Sequence, residues 1–256
     1  MLSEKNTKII RSLSHKKYRQ QYKFFIAEGR KIVIDMLITG FHDIYQLYVS
    51  MEALEAYRSI LEQVKSKVIL LEPKHFSKIS NLDSPPDMIL IGHIPSPVDV
   101  NLIDFSTGFH LYLDQVQDPG NMGTIFRTAE WFGVKSIGMS QGCADLFHPK
   151  VVQASMGSFW RVPYWLGDLP TVPGTPIIGA DLQGSSLYKA MLPGNALLAI
   201  GSEGQGLSSA LKSRIDQYLC IPSYSPNIES LNAANATAII LSEFKRQSVL
   251  NQGEEG

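Results

Sequence analysis

The segment DPGNMGTIFRTAE, residues 118–130, follows an apolar, β-prone run, FHLYLDQV, and leads into an amphipathic helix that carries Ile125 and Phe126. A plain strand-to-helix connection needs no special polar side chains. This one carries Asn121 and delivers Arg127 one turn into the predicted helix. In α/β proteins, ligands bind at the carboxyl ends of parallel strands. The segment therefore predicts an α/β fold with a binding site at the end of this strand.

Strands and helices alternate on both sides of this segment, which predicts two α/β units. Residues 1–97 form the smaller predicted domain, and residues 107–256 form a larger one with a mostly parallel sheet covered on both faces. Between them, PSPVDVNLIDFSTG contains two prolines and mixed polarity, as expected of a linker. We place the boundary near residues 95–107.

Composition narrows the class of protein. Of the 256 residues, 44% are hydrophobic and 18% are charged, as in a globular protein with a sizeable core. The N-terminal residues lack the apolar core of a signal peptide, and no apolar run is long enough to span a bilayer. Cys143, Cys220 and the histidines match no metal-ligand spacing. We expect a cytoplasmic protein without a metal and without a membrane partner.

The net charge of −1 hides an uneven distribution. Residues 1–31 hold nine basic and two acidic side chains, a net charge of +7, so the remainder of the chain carries −8. Such a cluster binds phosphates with a gain from counterion release. A solvated helix face explains the same pattern equally well. The candidate RNA-binding residues are Lys16, Lys17, Arg19, Lys23 and Arg30.

A second polar loop follows another apolar strand, in LLAIGSEGQGLS, residues 197–208. Its glycines allow a ligand to approach the backbone closely, and Glu203 favours a cationic or hydroxyl-rich partner. The loop does not match the GxGxxG fingerprint of a dinucleotide site, and its acid would repel a pyrophosphate. An ordinary strand-to-helix turn with incidental glycines is the alternative.

A third such stretch is CIPSYSPNIESLNAANATAIILSE, residues 220–243. Ser230 is expected to cap the helix that follows, and small residues in the helix permit a close approach of another backbone. Capping and tight packing explain most of this pattern. They explain Asn232 least well, because asparagine is a poor helix former.

Together the three stretches resemble the SpoU branch of the SPOUT superfamily, the tRNA/rRNA ribose 2′-O-methyltransferases. Each family motif is matched in order along the chain. The matching residues are Asn121, Gly123, Arg127 and Ala129 in the first motif, Gly201, Glu203 and Gly206 in the second, and Ile221, Pro222, Ser230, Leu231 and Asn232 in the third. The N-terminal unit resembles the substrate-binding domain, similar to ribosomal protein L30e, that many members carry.

The resemblance implies a C-terminal parallel sheet with a deep trefoil knot, and S-adenosylmethionine bound in that knot. It also implies RNA as substrate and a homodimer in which Arg127 works across the interface. The implied cofactor-binding residues are Gly201, Ser202, Glu203, Gly204, Ile221, Pro222, Ser230 and Leu231. The implied catalytic residues are Arg127, Asn121, Glu203, Ser230 and Asn232.

Two roles remain open for Arg127. A ribose 2′-hydroxyl is a poor nucleophile, so the enzyme must align it and help to remove its proton. The family proposal is that the arginine acts on the hydroxyl, although arginine normally stays protonated. The alternative is that Arg127 holds a neighbouring phosphate bidentately and stabilises the forming alkoxide. In both cases we expect Asn121 to orient Arg127, and Glu203 to anchor the loop or the arginine.

Two other functions compete with this interpretation. A non-catalytic RNA-binding or ribosome-associated protein would retain the fold without the reaction. A Rossmann-type dehydrogenase would need the glycine fingerprint and a later acidic residue, which are missing. The choice between tRNA and rRNA stays open, as does the effect of the loop at residues 223–229, which differs from the usual family version.

Overall fold

The computed structural model describes residues 2–253 and the side chains of residues 2–250. The chain divides into two compact units. One comprises residues 1–95 together with 145–159, and the other comprises residues 96–144 together with 160–256. The segment 145–159 therefore belongs to the first unit, although the sequence-based division places it in the second domain.

A buried charge explains why this segment belongs to the first unit. The Arg19 side chain is only 1% exposed. Its Nη2 donates to Asp145 Oδ2 at 2.6 Å, and its Nη1 donates to the Leu13 carbonyl at 2.7 Å. A buried guanidinium is costly unless it is paired and hydrogen-bonded. The Phe25 ring also lies 5.8 Å from that of Phe147, so the segment completes the core of this unit as well.

The secondary structure follows the predicted alternation of strands and helices. The helices, in chain order, are α1 (Glu4–Ser12), α2 (Lys16–Tyr22), α3 (Arg30–Ile38), α4 (Met51–Ala56), α5 (Arg58–Leu61), α6 (Pro73–Phe76), α7 (Pro119–Trp131), α8 (Pro149–Ser155), α9 (Ser158–Arg161), α10 (Ser209–Lys212) and α11 (Ala233–Gly253). The strands are β1 (Phe24–Glu28), β2 (Ile44–Val49), β3 (Val68–Leu70), β4 (Met88–His93), β5 (Phe109–Asp114), β6 (Ser136–Met139), β7 (Tyr164–Leu166), β8 (Ile177–Ser186), β9 (Ala196–Gly201) and β10 (Gln217–Cys220).

The first unit contains a four-stranded mixed sheet. Its strands lie in the order β1-β4-β2-β3, with β4 antiparallel to both neighbours and β2 parallel to β3. Apolar side chains of the sheet, among them Ile26 and Ile91, pack against Ile10 and Leu13 from the N-terminal helical region. The basic N-terminal segment is therefore anchored by its apolar residues to the core of this unit.

The second unit contains a six-stranded sheet in the order β10-β8-β9-β5-β6-β7. Neighbouring strands in this sheet run parallel. All residues of β5 are buried, as expected for a continuous apolar strand covered on both faces. The predicted α/β fold with a parallel sheet is confirmed.

The register of this sheet brings the motif-bearing loops to one edge. Asp114, at the end of β5, pairs with Gly201, at the end of β9. The first motif follows β5, the second follows β9, and the third follows β10. Because the carboxyl ends of parallel strands meet at one edge, residues far apart in sequence come together there.

Candidate active site

Three side chains from the three motifs form one hydrogen-bonded cluster. Asn121 Nδ2 donates to Glu203 Oε1 at 2.6 Å, and Asn232 Nδ2 donates to the same oxygen at 2.9 Å. Asn232 Nδ2 also donates to Asn121 Oδ1 at 2.7 Å, and the Ala233 backbone N–H lies 3.3 Å from Glu203 Oε1. The Glu203 carboxylate thus holds the first turn of α7, the start of α11 and its own loop together.

Helix α7 begins earlier than the sequence suggested. The Asp118 side chain caps it by accepting the Asn121 backbone N–H at 2.7 Å, and Pro119 occupies its first position. Asn121 therefore lies in the first helical turn, and not in a preceding loop. This leaves the Asn121 amide at the start of the helix, where it reaches Glu203.

The expected role of Asn121 in orienting Arg127 needs correction. The two residues are six positions apart on one helix and therefore lie on different faces. The Asn121 amide bonds with Glu203 and Asn232. Within the described part of the chain, the exposed Arg127 side chain has neither a hydrogen bond nor an ion pair. Its guanidinium is thus available to a ligand.

The cap of α11 is Asn232, and not Ser230 as expected. Asn232 Oδ1 accepts the backbone N–H groups of Ala234 at 3.0 Å and of Asn235 at 3.2 Å. The same side chain donates with its amide nitrogen to Asn121 and Glu203. An asparagine is suited to this position because it offers an acceptor to the helix and donors to the cluster at once.

The glycines of the loop after β9 differ in their steric surroundings. A Cβ on Gly201 would lie 2.2 Å from the Gly206 backbone, because residues 202 and 206 pair across the loop. Gly206 itself has a φ of +65°. We expected these glycines to make room for a ligand, yet Gly201 makes room for its own loop. A Cβ on Gly204, in contrast, meets no atom within 4 Å.

A cavity of about 350 Å³ opens beside the cluster, at the carboxyl edge of the sheet. Its volume falls in the range of small-molecule sites. Seven of the eight expected cofactor residues line it, and Pro222 does not. These seven are Gly201, Ser202, Glu203, Gly204, Ile221, Ser230 and Leu231.

The cavity wall also contains residues that the sequence interpretation missed. They come from the middle of β8, the end of β9 and the loop that follows it, the end of β10 and the first turns of α11. They are Ala180, Asp181, Leu182, Gln183, Ile200, Gln205, Leu219, Ala233, Ala236 and Ile240. The run TPIIGAD, an apolar strand that ends in a carboxylate, was the available signal for Asp181.

The wall chemistry suits S-adenosylmethionine. Leu182, Leu219 and Ile240 offer an apolar surface for an aromatic base. Asp181 and Glu203 provide negative charge for a ligand that carries a sulfonium and an ammonium group. Gly204 leaves open space at the wall. The residues present therefore fit this cofactor.

Filling that open space should weaken cofactor binding. We expect Gly204→Val to raise the Kd for S-adenosylmethionine about tenfold or more, because the new side chain occupies ligand volume. Calorimetric titration measures this. Gly194→Val is the matched control, since Gly194 is equally open and lies outside the cavity wall. Equal Kd values for the two variants would place the cofactor elsewhere.

The basic segment of the first unit divides into exposed and paired side chains. Lys16, Lys17 and Lys23 are exposed. Arg30 pairs with Asp87 and Glu52, and its hydrogen bond holds the pKa of Asp87 below the usual value. Arg19 is buried against Asp145, so its guanidinium is not free to contact a phosphate. We therefore remove Arg19 from the candidate RNA-binding set.

Two other kinds of feature are absent from the described residues. Among the described residues, no group of three or more histidine, cysteine, aspartate or glutamate side chains is placed to hold a metal ion. In the same part of the chain, none of the helices combines the length and the apolar character that crossing a bilayer demands.

Family models match most of the chain. Residues 108–242 match the model of the SpoU rRNA Methylase family. Residues 4–90 match the model of an MRM3-like substrate binding domain.

Individual relatives extend the match to nearly the full length. The 23S rRNA (guanosine(2553)-2′-O)-methyltransferase of Bacillus subtilis is 29% identical over 93% of this chain and 96% of its own. A solved TrmH-family structure from Porphyromonas gingivalis is 38% identical, with a TM-score of 0.82 over 97% of this chain and 100% of its own. An AdoMet-bound rRNA methyltransferase from Sinorhizobium meliloti is 29% identical, with a TM-score of 0.83 over 95% of this chain and 96% of its own.

Proposed function

The chain belongs to the SpoU rRNA Methylase family, and we propose that it methylates the 2′-hydroxyl of a ribose in ribosomal RNA, with S-adenosylmethionine as methyl donor. The observation that carries the proposal is the cluster of Asn121, Glu203 and Asn232 beside the cavity. The full-length similarity to a 23S rRNA 2′-O-methyltransferase supports ribosomal RNA over tRNA. We also propose the cytoplasm as the location of the activity, which the similarity to a bacterial methyltransferase of 23S rRNA supports.

S-adenosylmethionine supplies an electrophilic methyl group on a positively charged sulfur. The residues of the chain hold and orient the reactants. The loop after β9 and the start of α11 would hold the cofactor, and Leu231 and Ile221 at the cavity wall would contact its apolar part. Glu203 keeps both elements in place through its bonds to Asn121 and Asn232. Ser230 is exposed at the cavity wall and can donate to either reactant.

Arg127 acts on the RNA. Its free, exposed guanidinium can hold the phosphate next to the target ribose with two parallel hydrogen bonds. The same charge stabilises the negative charge that develops on the 2′-oxygen as its proton passes to a solvent water. Because a guanidinium stays protonated near neutral pH, we favour this role over that of a general base.

We further propose the trefoil knot that the family resemblance implies for the second unit. After β9 the chain passes to β10, at the far edge of the sheet beside β8. Residues 221–232 then return to the loop after β9, where Asn232 meets Glu203. For the first unit we propose an L30e-like fold, which its mixed sheet and its match to a substrate binding domain support.

We also propose a homodimer in which Arg127 serves the cofactor site of the partner. The end of α11 leaves Val249 and Leu250 more than half exposed, and apolar surface of this kind is commonly covered by a partner. Light scattering at micromolar concentration should give twice the mass of the chain without RNA. A monomer in this measurement would contradict the dimer and catalysis in trans.

The exposed lysines of the first unit should supply RNA affinity and leave the chemistry intact. We expect the triple change Lys16→Ala, Lys17→Ala and Lys23→Ala to weaken RNA binding and to flatten its salt dependence by up to about two to three units of log–log slope. The Kd for S-adenosylmethionine should not change. Filter binding over a salt series measures the slope.

Two other lysines provide the control. Lys65 and Lys74 are exposed but already paired with Glu62 and Glu72. Changing both to alanine should leave RNA binding almost unaltered. If the triple variant behaves like this control, the basic segment is a solvated face.

A calorimetric titration tests the proposed function against its alternative. The enzyme should bind S-adenosylmethionine with one site per chain, without added metal. A non-catalytic RNA-binding protein of this fold would give no heat of binding with the cofactor.

A further inference from the structure

Helix α7 presents two different faces. Its buried face packs Met122, Ile125 and Phe126 into the second unit. The opposite face carries Arg127 and Trp131, both exposed. Since residues four positions apart are neighbours on a helix surface, these two side chains lie side by side.

The exposure of Trp131 has no structural explanation within the chain. Its side chain is 84% exposed. Across the described residues, the ring has no aromatic or cation–π partner. The adjacent Glu130 forms an ion pair with Arg161 and gives no reason for an indole at position 131. A tryptophan contributes nothing to the core in this position, whereas an exposed indole is a large rigid surface suited to binding.

The neighbouring arginine indicates what binds there. Arg127 offers an unpaired guanidinium, which suits a phosphate. An indole suits the face of a nucleobase, because aromatic side chains stack on unpaired bases in RNA recognition. A phosphate-binding group and a stacking group side by side match the two chemical parts of a single-stranded nucleotide.

We propose that Trp131 stacks on an unpaired nucleobase adjacent to the ribose that is methylated. This inference rests on the proposed function, because it places the RNA backbone at Arg127. Stacking holds the flanking nucleotide flat against α7 and so fixes the register of the target ribose. It also predicts a preference for a single-stranded target, since a paired base does not expose its face.

Tryptophan fluorescence tests the contact directly. A short, unstructured RNA oligonucleotide should quench the emission of the wild-type protein. Trp131→Phe should keep RNA affinity and lose the quenching, because Trp165 is buried and Trp160 is not fully exposed. Trp131→Ala should weaken binding of the oligonucleotide about tenfold or more. Met191→Ala, at a residue that is 93% exposed on the same unit, is the control and should bind RNA normally.

Two further measurements complete the test: the kinetics of methyl transfer and the molecular mass of the protein in solution. Trp131→Ala should raise the KM for protein-free 23S rRNA and leave the Kd for S-adenosylmethionine and the molecular mass unchanged. Unaltered RNA binding by this variant would overturn the inference. A change in mass together with the loss of binding would assign Trp131 to contact with a second copy of the chain, and would overturn it as well.

Different results would refute the proposed function and the stacking contact of Trp131. Wild-type protein that shows Trp131-dependent quenching but transfers no methyl group would refute the proposed function and retain the stacking contact. Methyl transfer with a normal RNA KM in Trp131→Ala would refute the stacking contact and retain the function.

Discussion

Replacing Arg127 with alanine should lower kcat roughly a hundredfold to a thousandfold, the effect of removing one preorganised donor from a developing oxyanion. The Kd for S-adenosylmethionine should stay near normal, because Arg127 is assigned to the RNA phosphate and the reacting oxygen, not to the cofactor. RNA binding should weaken only modestly, since one phosphate contact is lost. Single-turnover kinetics with saturating RNA measures the chemical step.

Two further variants test whether this loss of kcat is specific to the guanidinium of Arg127. Arg127→Lys keeps the charge and loses the planar fork, so a bidentate phosphate contact predicts a rate between those of wild type and Arg127→Ala. Arg246→Ala removes an arginine on α11 that is already paired with Glu243, and should leave kcat unchanged. An unaltered kcat in Arg127→Ala would disprove the assigned role.

The second large effect is expected for Asn232→Asp. This change keeps the oxygen that caps α11 and replaces the amide donor that lies 2.9 Å from Glu203 Oε1 with a second carboxylate oxygen. Two carboxylates at that separation cannot both be ionised without strong repulsion. The second loop and α11 should separate, and we expect cofactor affinity to fall about tenfold or more. Calorimetry measures the change.

The same variant has a defined pH dependence. The carboxylate pair raises the pKa of one member in the folded state, so the folded state binds more protons than the unfolded state. Stability therefore falls as the pH rises, and lowering the pH restores a hydrogen bond between the two groups. Asn235→Asp, three residues on, adds the same charge at an exposed position. Equal pH profiles for the two variants would contradict the contact with Glu203.

The sequence allowed the prediction of the elements that meet at the site, because each motif follows an apolar strand. Parallel strands bring their carboxyl ends together whatever their separation along the chain. The parallel sheet was predicted from the alternation of strands and helices, and the structure confirms it. The family, the cofactor and the reaction class were predicted from the resemblance of the three motifs to the SpoU family, and the comparisons confirm them. The individual bonds of Asn121 and Asn232 were not predictable, because they depend on where each helix begins.

The basic segment, residues 1–31, shows a second limit of prediction from the sequence alone. Arg19 has the same local character as Lys16 and Lys17, and composition gives all three the same expected role. Only the tertiary structure shows that Arg19 faces inward to Asp145, which is distant in sequence. Segment 145–159 was assigned to the wrong unit for the same reason, since nothing local to it reveals the charge that it neutralises.

Gly201 illustrates a third limit of prediction from the sequence alone. A glycine in a loop beside a binding site is commonly explained by a ligand that approaches the backbone. Here the close neighbour is Gly206 of the same loop. The sequence indicates that the position excludes a side chain, but it does not tell whether the excluding atom belongs to a ligand or to the protein.

The most direct test of the central claim is the position of the transferred methyl group. Wild-type enzyme is incubated with methyl-labelled S-adenosylmethionine and protein-free 23S rRNA, and the RNA is then hydrolysed with alkali. We predict that the label appears in an alkali-resistant dinucleotide, because a methylated 2′-oxygen cannot attack the neighbouring phosphate, and that Arg127→Ala gives almost none. Label in alkali-sensitive mononucleotides would mean methylation of a base, and no label in RNA would mean no transfer. Either result would contradict the assigned reaction.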